Sequence, residues 1–304
     1  MSILVVGSVA LDTIATPFGS CEEELGGSAS YFSMAAGHFD KVKLVAVVGT
    51  DFPQKHIEFF ESRGVDVTGL QVTEGKTFRW QAEYGFELGE AKTISTSVNV
   101  FEHFHPVIPD QFKRPDYLFL ANIDPSLQLE VLDKVGQAKF VACDTMNFWI
   151  TRRHKELLQT IERVDAFILN DAEARQLTGE PNLIKAAKWI LSLGPKMVIV
   201  KKGEHGALLI TPEFKFAAPA YPVELLFDPT GAGDSFAGGF VGFMARCGEC
   251  CEDTLRLAVI YGSVMASFAV ERFGVRRLAE IDTFVILERL KELKKMSEFQ
   301  LLPV

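Results

Sequence analysis

Asp228-Pro229-Thr230-Gly231-Ala232-Gly233-Asp234-Ser235-Phe236-Ala237-Gly238-Gly239-Phe240 is the most informative stretch of this chain. Two glycines precede an acid, and a helical pattern of small residues then runs on to Met244. Glycines let successive backbone N–H groups point one way, and at a helix N-terminus such a run makes an anion hole. An Asp at that terminus sits beside a bound phosphate and accepts the proton of an attacking hydroxyl. The same residues also spell a plain Gly-rich turn with Asp234 as helix N-cap. Composition alone leaves the two readings level.

Outward from that stretch, short apolar runs alternate with helical patterns. Ile3–Val9, Leu44–Val48, Tyr117–Leu120, Phe140–Cys143, Phe167–Leu169 and Met197–Val200 read as strands buried on both faces of a mostly parallel sheet. Helices are predicted over Ser28–His38, Pro53–Arg63, Ser126–Val135, His154–Arg163 and Ile184–Leu191, the third opened by the N-cap and Pro pair Asp124-Pro125. The alternation predicts an α/β sheet covered on both sides. Thr77–Phe86 breaks the rhythm: Phe78, Trp80, Ala82, Tyr84 and Phe86 alternate with Thr77, Arg79, Gln81 and Glu83, a half-exposed strand. With Thr93–Val100 and Thr13–Thr16 it is expected to form a small antiparallel sheet outside the main layers.

The composition bounds the partners. The chain has 304 residues with 31 Lys and Arg against 40 Asp and Glu, a net charge of −9 that argues against a duplex-binding protein. Hydrophobic residues are 48%, enough for a large core without metal or disulfide staples. Ile3–Val9 lacks a basic flank and reads as a strand, not a leader, and Leu257–Val270 is too short for a bilayer and reads as a core helix. Neither implies a membrane role. Five scattered cysteines, Cys21, Cys143, Cys247, Cys250 and Cys251, fit reduced thiols and a cytoplasmic setting. Cys247 and Cys250 lack the further ligands a zinc site needs.

DPTGAGDSFAGGF resembles the C-terminal signature of the ribokinase (PfkB-type) family, with fixed spacing over a dozen residues. The resemblance implies that Asp234 is the catalytic base and that Gly231, Ala232 and Gly233 form the anion hole. Other motifs fall in the family's order, over roughly residues 3 to 280. Gly7-Ser-Val-Ala-Leu-Asp12 is similar to the first strand, whose Asp binds substrate hydroxyls, a role that suits a carboxylate. Gly26-Gly27 resembles the Gly-Gly motif before a helix, although Ser28-Ala29-Ser30 departs from the ribokinase version. Asn170-Asp-Ala-Glu173 reads as a capping box and also resembles the Asn-x-x-Glu that organises Mg²⁺ and phosphate, with Glu173 acting through water. Lys202, Gly203 and Gly206 match the nucleotide-side hairpin, which is equally a plain hairpin turn. Asp144 and Asn147 match an Asp-x-Asn element near substrate, with loop capping as the alternative. Ser263, Ser267 and the Gly274 loop fall where the family holds adenine. K⁺ activation is frequent in the family, and Asp228 and the Thr230 carbonyl stand at the matched ligand positions.

The expected fold is a ribokinase-like three-layer sandwich, one kinase domain over residues 1–304, with a β-sheet lid from about 13–20 and 75–104. The expected activity is transfer of the ATP γ-phosphoryl group to a hydroxyl of a small sugar. A nucleoside kinase of the same family and a catalytically silent sugar or nucleotide sensor are the alternatives. A hydroxymethylpyrimidine- or pyridoxal-type kinase is disfavoured, since those usually lack the lid strand seen at Thr77–Phe86. The chain has no P-loop, no Rossmann glycine fingerprint, no H-E-x-x-H and no G-x-S-x-G. The aromatic face Phe78, Trp80, Tyr84, Phe86 predicts a homodimer joined through the lids. That arrangement would leave Arg79, Gln81 and Glu83 to meet the substrate, which favours a sugar over a base.

Overall fold

The computed structural model describes residues 1–300. In chain order the first half comprises β1 (Ser2–Val6), β2 (Ala10–Thr16), β3 (Gly19–Gly26), α1 (Ser28–Ala36), β4 (Lys41–Gly49), α2 (Gln54–Ser62), β5 (Val65–Thr73), β6 (Arg79–Glu83), β7 (Lys92–Ser97), β8 (Tyr117–Leu120) and α3 (Pro125–Lys134). Then come β9 (Phe140–Asp144), α4 (Asn147–Arg152), α5 (His154–Ile161), β10 (Ala166–Asn170), α6 (Asp171–Thr178), α7 (Leu183–Leu191), β11 (Met197–Lys201), β12 (Ala207–Ile210) and β13 (Lys215–Ala218). The chain closes with α8 (Ala232–Cys247), α9 (Glu252–Ala269), α10 (Arg276–Glu280) and α11 (Thr283–Ser297).

Nine strands form the main sheet in the order β13-β12-β11-β10-β9-β8-β1-β4-β5. Pairing is parallel from β11 through to β5, and the β11–β12 and β12–β13 pairs at one edge are antiparallel. The buried runs form strands because alternate residues feed two separate cores. Ile3 and Val5 point into the layer of α1, α2, α8, α9, α10 and α11, while Leu4 and Val6 point into the layer of α3 to α7. A strand buried on both faces is apolar at every position, which is why these segments show no period-two alternation. The helices on each side make this the three-layer sandwich expected from the sequence.

The smaller sheet has four strands in the order β3-β2-β6-β7. It is mixed, not antiparallel as expected: β2 and β6 run parallel, with Asp12 beside Trp80 and Ile14 beside Ala82. No hairpin joins these two strands. The chain between them passes through β3, α1, β4, α2 and β5, so it returns in the same direction. β3, with Glu22-Glu23-Glu24 in its middle, has no strand signature of its own and forms by pairing with β2. β5 was likewise unexpected; Gly69 interrupts its β-prone pattern.

α8 is positioned by its small residues. A side chain at Gly238 would strike the Phe32 carbonyl of α1, and one at Gly239 would strike the Tyr261 carbonyl of α9. The helix therefore lies backbone to backbone against both neighbours, and its N-terminus is held at a fixed place above the sheet.

Candidate active site

In a doubly wound sheet, ligands bind beyond the carboxyl ends of the strands, where the order reverses. Here the order reverses at β1, since the chain moves outward to β4 on one side and to β8 on the other. The first polar residues at these strand ends gather above the sheet. β9 ends in Asp144, β10 in Asn170 and β11 in Lys201. Lys201 Nζ donates to Asp144 Oδ2 at 3.0 Å, and both side chains are largely shielded from solvent. Asp144 Oδ1 also accepts from the Thr145 amide at 2.8 Å.

Asn170 and Glu173 form a reciprocal capping box. The Asn170 side chain accepts from the Glu173 amide at 2.7 Å, and Glu173 Oε2 accepts from the Asn170 amide at 2.7 Å. Glu173 is buried, and that burial lifts its carboxyl to about 7; Lys201 opposes the rise and Asp144 adds to it.

The N-terminus of α8 faces this cluster. Gly231 caps it in the left-handed region at φ 75°, a conformation a side chain strains to adopt. The preceding turn is set by Asp228, whose Oδ1 accepts from the Thr230 amide at 2.9 Å. Asp234 lies in the helix's first turn, and its carboxyl is raised to about 7 by burial and by Asp144, against the pull of Lys201. A Cβ at Gly233 would stand 2.9 Å from Lys201 Nζ, so the lysine and the glycine run share one space.

On the other side stands Asp12, 4% exposed, its carboxyl pushed up to about 8 by burial. The Gly27 amide lowers that value, and the charges of Asp228 and Asp234 raise it. Asp12 lies so close to Gly26 that a side chain there would occupy the carboxyl's position. Ser8 and Ser28 tie the end of β1 to α1, with the Ser28 amide donating to Ser8 Oγ at 3.0 Å.

Paired residues of adjacent strands share a sheet face. Trp80 is thus on the Asp12 face of the smaller sheet, with its indole Nε1 donating to Thr93 Oγ1 at 3.2 Å. Tyr84 is buried and its hydroxyl lies 3.0 Å from Thr230 Oγ1. Phe78 stacks on Phe101, with ring centroids 5.7 Å apart. Of the aromatic face expected to pair with a second lid, only Phe86 is fully exposed, at 83%. Arg79 is on the opposite face, where its guanidinium pairs with Glu23 at 2.6 Å and Asp51 at 2.8 Å.

Asp12, Gly26, Gly27, Asp144, Asn170, Glu173, Asp228, Thr230, Gly231, Ala232, Gly233 and Asp234 are thus brought to one region, and the remaining expected residues make the following contacts. Arg79 is engaged away from Asp12. Asn147 is exposed and donates to Glu90 at 3.1 Å. Lys202, Gly203 and Gly206 form the turn between β11 and β12, closed by the Lys202 amide on the Gly206 carbonyl at 2.8 Å. Ser263 is buried on α9, and the Ser267 hydroxyl donates to the Val264 carbonyl at 2.7 Å and accepts from Arg289 at 3.0 Å. Lys201 escaped the sequence reading, although its signal was there: it is the first polar residue after the buried run Met197–Val200. Tyr31 and Tyr84 had no such signal, because their partners lie across the fold.

A family model for pfkB family carbohydrate kinases matches residues 2–282. The chain belongs to that family. A cytidine kinase of Thermococcus kodakarensis is 31% identical over 265 residues, covering 85% of this chain and 94% of the relative. The crystal structure of the Methanocaldococcus jannaschii nucleoside kinase superposes with a TM-score of 0.79 at 21% identity, over 96% of this chain and 98% of that one. Aminoimidazole riboside kinase from Salmonella enterica, solved with aminoimidazole riboside and an ATP analogue, superposes at 0.75 with 19% identity, over 95% and 100% of the two chains. These relatives agree with the main sheet and smaller sheet of this PfkB kinase, and the activity of the family is ATP-dependent phosphotransfer to a sugar or nucleoside.

Proposed function

We propose that this PfkB kinase phosphorylates a hydroxyl on the sugar of a nucleoside, with Asp234 as the general base. The observation that carries the nucleoside reading is the register of β2 and β6, which pairs Trp80 with Asp12 and so puts both on one face. A buried carboxylate accepts from two neighbouring hydroxyls of a sugar, and an indole gives a base a surface to stack on. The name of the T. kodakarensis relative, cytidine kinase, supports the same reading. The preference for a free sugar rested on Arg79 facing the substrate, and Arg79 is held by Glu23 and Asp51 instead.

The residues present fit the nucleotide and its metal. The left-handed Gly231 opens the first turn of a 16-residue helix, with Lys201 beside it, and such a terminus binds phosphate. Glu173 and Asn170 would hold Mg²⁺ through water, since the described residues contain no group of three metal-ligating side chains. When bound, ATP with Mg²⁺ supplies the phosphoryl group and neutralises part of its charge. Asp234 takes the proton from the substrate hydroxyl, the Gly231–Gly233 amides stabilise negative charge on the transferring group, and Asp12 orients the sugar. Asp228 Oδ2 is buried without a protein partner among the described residues, which fits a monovalent cation such as K⁺ beside it.

The smaller sheet acts as a lid that excludes water. A homodimer through the lid would use the fully exposed edge strand β7, not the aromatic face. No helix among the described residues is long and apolar enough to cross a membrane, and the free thiols fit a cytoplasmic enzyme.

The test is a phosphorylation panel of cytidine, uridine, adenosine, inosine, ribose and free hexoses. A nucleoside should lead in kcat/KM. A free sugar exceeding every nucleoside overturns this reading and restores the sugar kinase.

A further inference from the structure

Tyr31 occupies the first turn of α1, is 1% exposed, and matches none of the family motifs in the sequence. Its ring packs directly beneath Gly231. The atoms nearest to where a Gly231 side chain would stand are Tyr31 Cδ1, Cγ and Cε1. The neighbouring Thr230 is held from the other side by the Tyr84 hydroxyl at 3.0 Å. The turn that opens α8 is therefore clamped between α1 and the smaller sheet.

We infer that Tyr31 is a positioning residue for phosphoryl transfer: its ring is the support that holds Gly231 in the left-handed turn and aims the Gly231–Gly233 amides. It touches neither nucleotide nor metal ligand in this role. The physical ground is that a left-handed residue at a helix start has neighbouring conformations within easy reach, and an aromatic face pressed on its Cα removes them. Catalysis by oriented amides is sensitive to placement, since a shift of about 1 Å lowers rates about 10²-fold. The Tyr31 hydroxyl has no protein partner among the described residues, so the ring, not the hydroxyl, carries the role.

The inference rests on reading Gly231–Gly233 as the phosphate cradle, and a mutant cycle separates the two. The kcat and KM of Tyr31→Phe, Tyr31→Ala, Gly231→Ala and the Tyr31→Ala/Gly231→Ala double variant are measured with the best nucleoside. Tyr31→Phe keeps the ring and should stay within about 3-fold of wild type. Tyr31→Ala should lower kcat about 30-fold with the nucleoside KM within about 3-fold, and Gly231→Ala should lower kcat about 10²-fold or more. The double variant should fall no more than about 3-fold below the worse single one, because the ring that a Gly231 side chain would strike is gone. Should Tyr31→Ala be insoluble, Tyr31→Leu takes its place in the cycle. Full activity in Gly231→Ala removes the cradle assignment and the inference with it. A loss in Gly231→Ala without one in Tyr31→Ala, or losses that simply multiply, overturns the role of Tyr31 alone.

Discussion

Lys201 Nζ and Asp144 Oδ2 meet 3.0 Å apart across the end of β10, with side-chain exposures of 15% and 4%. The cation is surrounded by carboxylates: burial lowers the Lys201 pKa, but Asp144, Glu173 and Asp234 outweigh it and keep the amine charged. Removing one member of a buried pair strands the other. Lys201→Met should lower unfolding free energy by about 3 kcal/mol in urea titrations, because Asp144 is left buried and unpaired. A loss below about 1 kcal/mol would mean that solvent reaches Asp144 after all.

Asp234→Asn should retain nucleotide affinity in calorimetry while kcat drops about 10² to 10⁴-fold, the contribution of a positioned base. Burial raises the wild-type carboxyl to about 7, and the base must be ionised to act. The wild-type kcat/KM should therefore climb with pH and level off above about 7. A flat profile across that range argues for a different base.

Glu173→Gln separates two roles of one side chain. The glutamine oxygen still accepts from the Asn170 amide, so the capping box survives and the melting temperature should hold. The charge is lost, so the Mg²⁺ concentration for half-maximal rate should rise about 10-fold if the carboxylate organises the metal's water shell. An unchanged Mg²⁺ requirement leaves Glu173 with its capping role only.

Trp80→Ala should raise the KM for nucleosides about 10-fold, in line with about 1–3 kcal/mol for stacking a base, and Trp80→Phe should recover most of it. The rate with free ribose should not respond. Equal losses on ribose and nucleoside would show that Trp80 supports the lid and does not read the base.

Asp12→Asn should affect stability and binding in opposite directions. Burial raises the wild-type carboxyl from 3.8 to about 8. A group with a raised pKa contributes its full stability below its unfolded value and loses it as pH rises through the folded one. The wild type should thus lose melting temperature relative to Asp12→Asn between about pH 5 and about pH 8. Nucleoside binding should weaken most in the variant above about pH 8, where the wild-type carboxyl is ionised. A melting difference independent of pH would show that Asp12 is ionised in the fold.

The sequence alone determined what is local or depends on adjacency. The buried strands declared themselves by continuous apolar runs, and the glycine run before Asp234 needed no tertiary contact to be read as a helix start. Asn170 and Glu173 form a capping box three residues apart, and the structure has both its bonds. The tertiary structure decided whatever depends on strand register and long-range packing. Period-two alternation separated Trp80 from Arg79 but did not say which face met Asp12; pairing with β2, across 68 residues of chain, settled that. Glu22-Glu23-Glu24 became strand because β2 offered an edge, not through any propensity of glutamate. The Tyr31 ring reached Gly231, and Lys201 reached Asp144, only once α1, α8 and three strands were stacked, since a side chain's partners across a fold are set by packing and not by its neighbours in sequence.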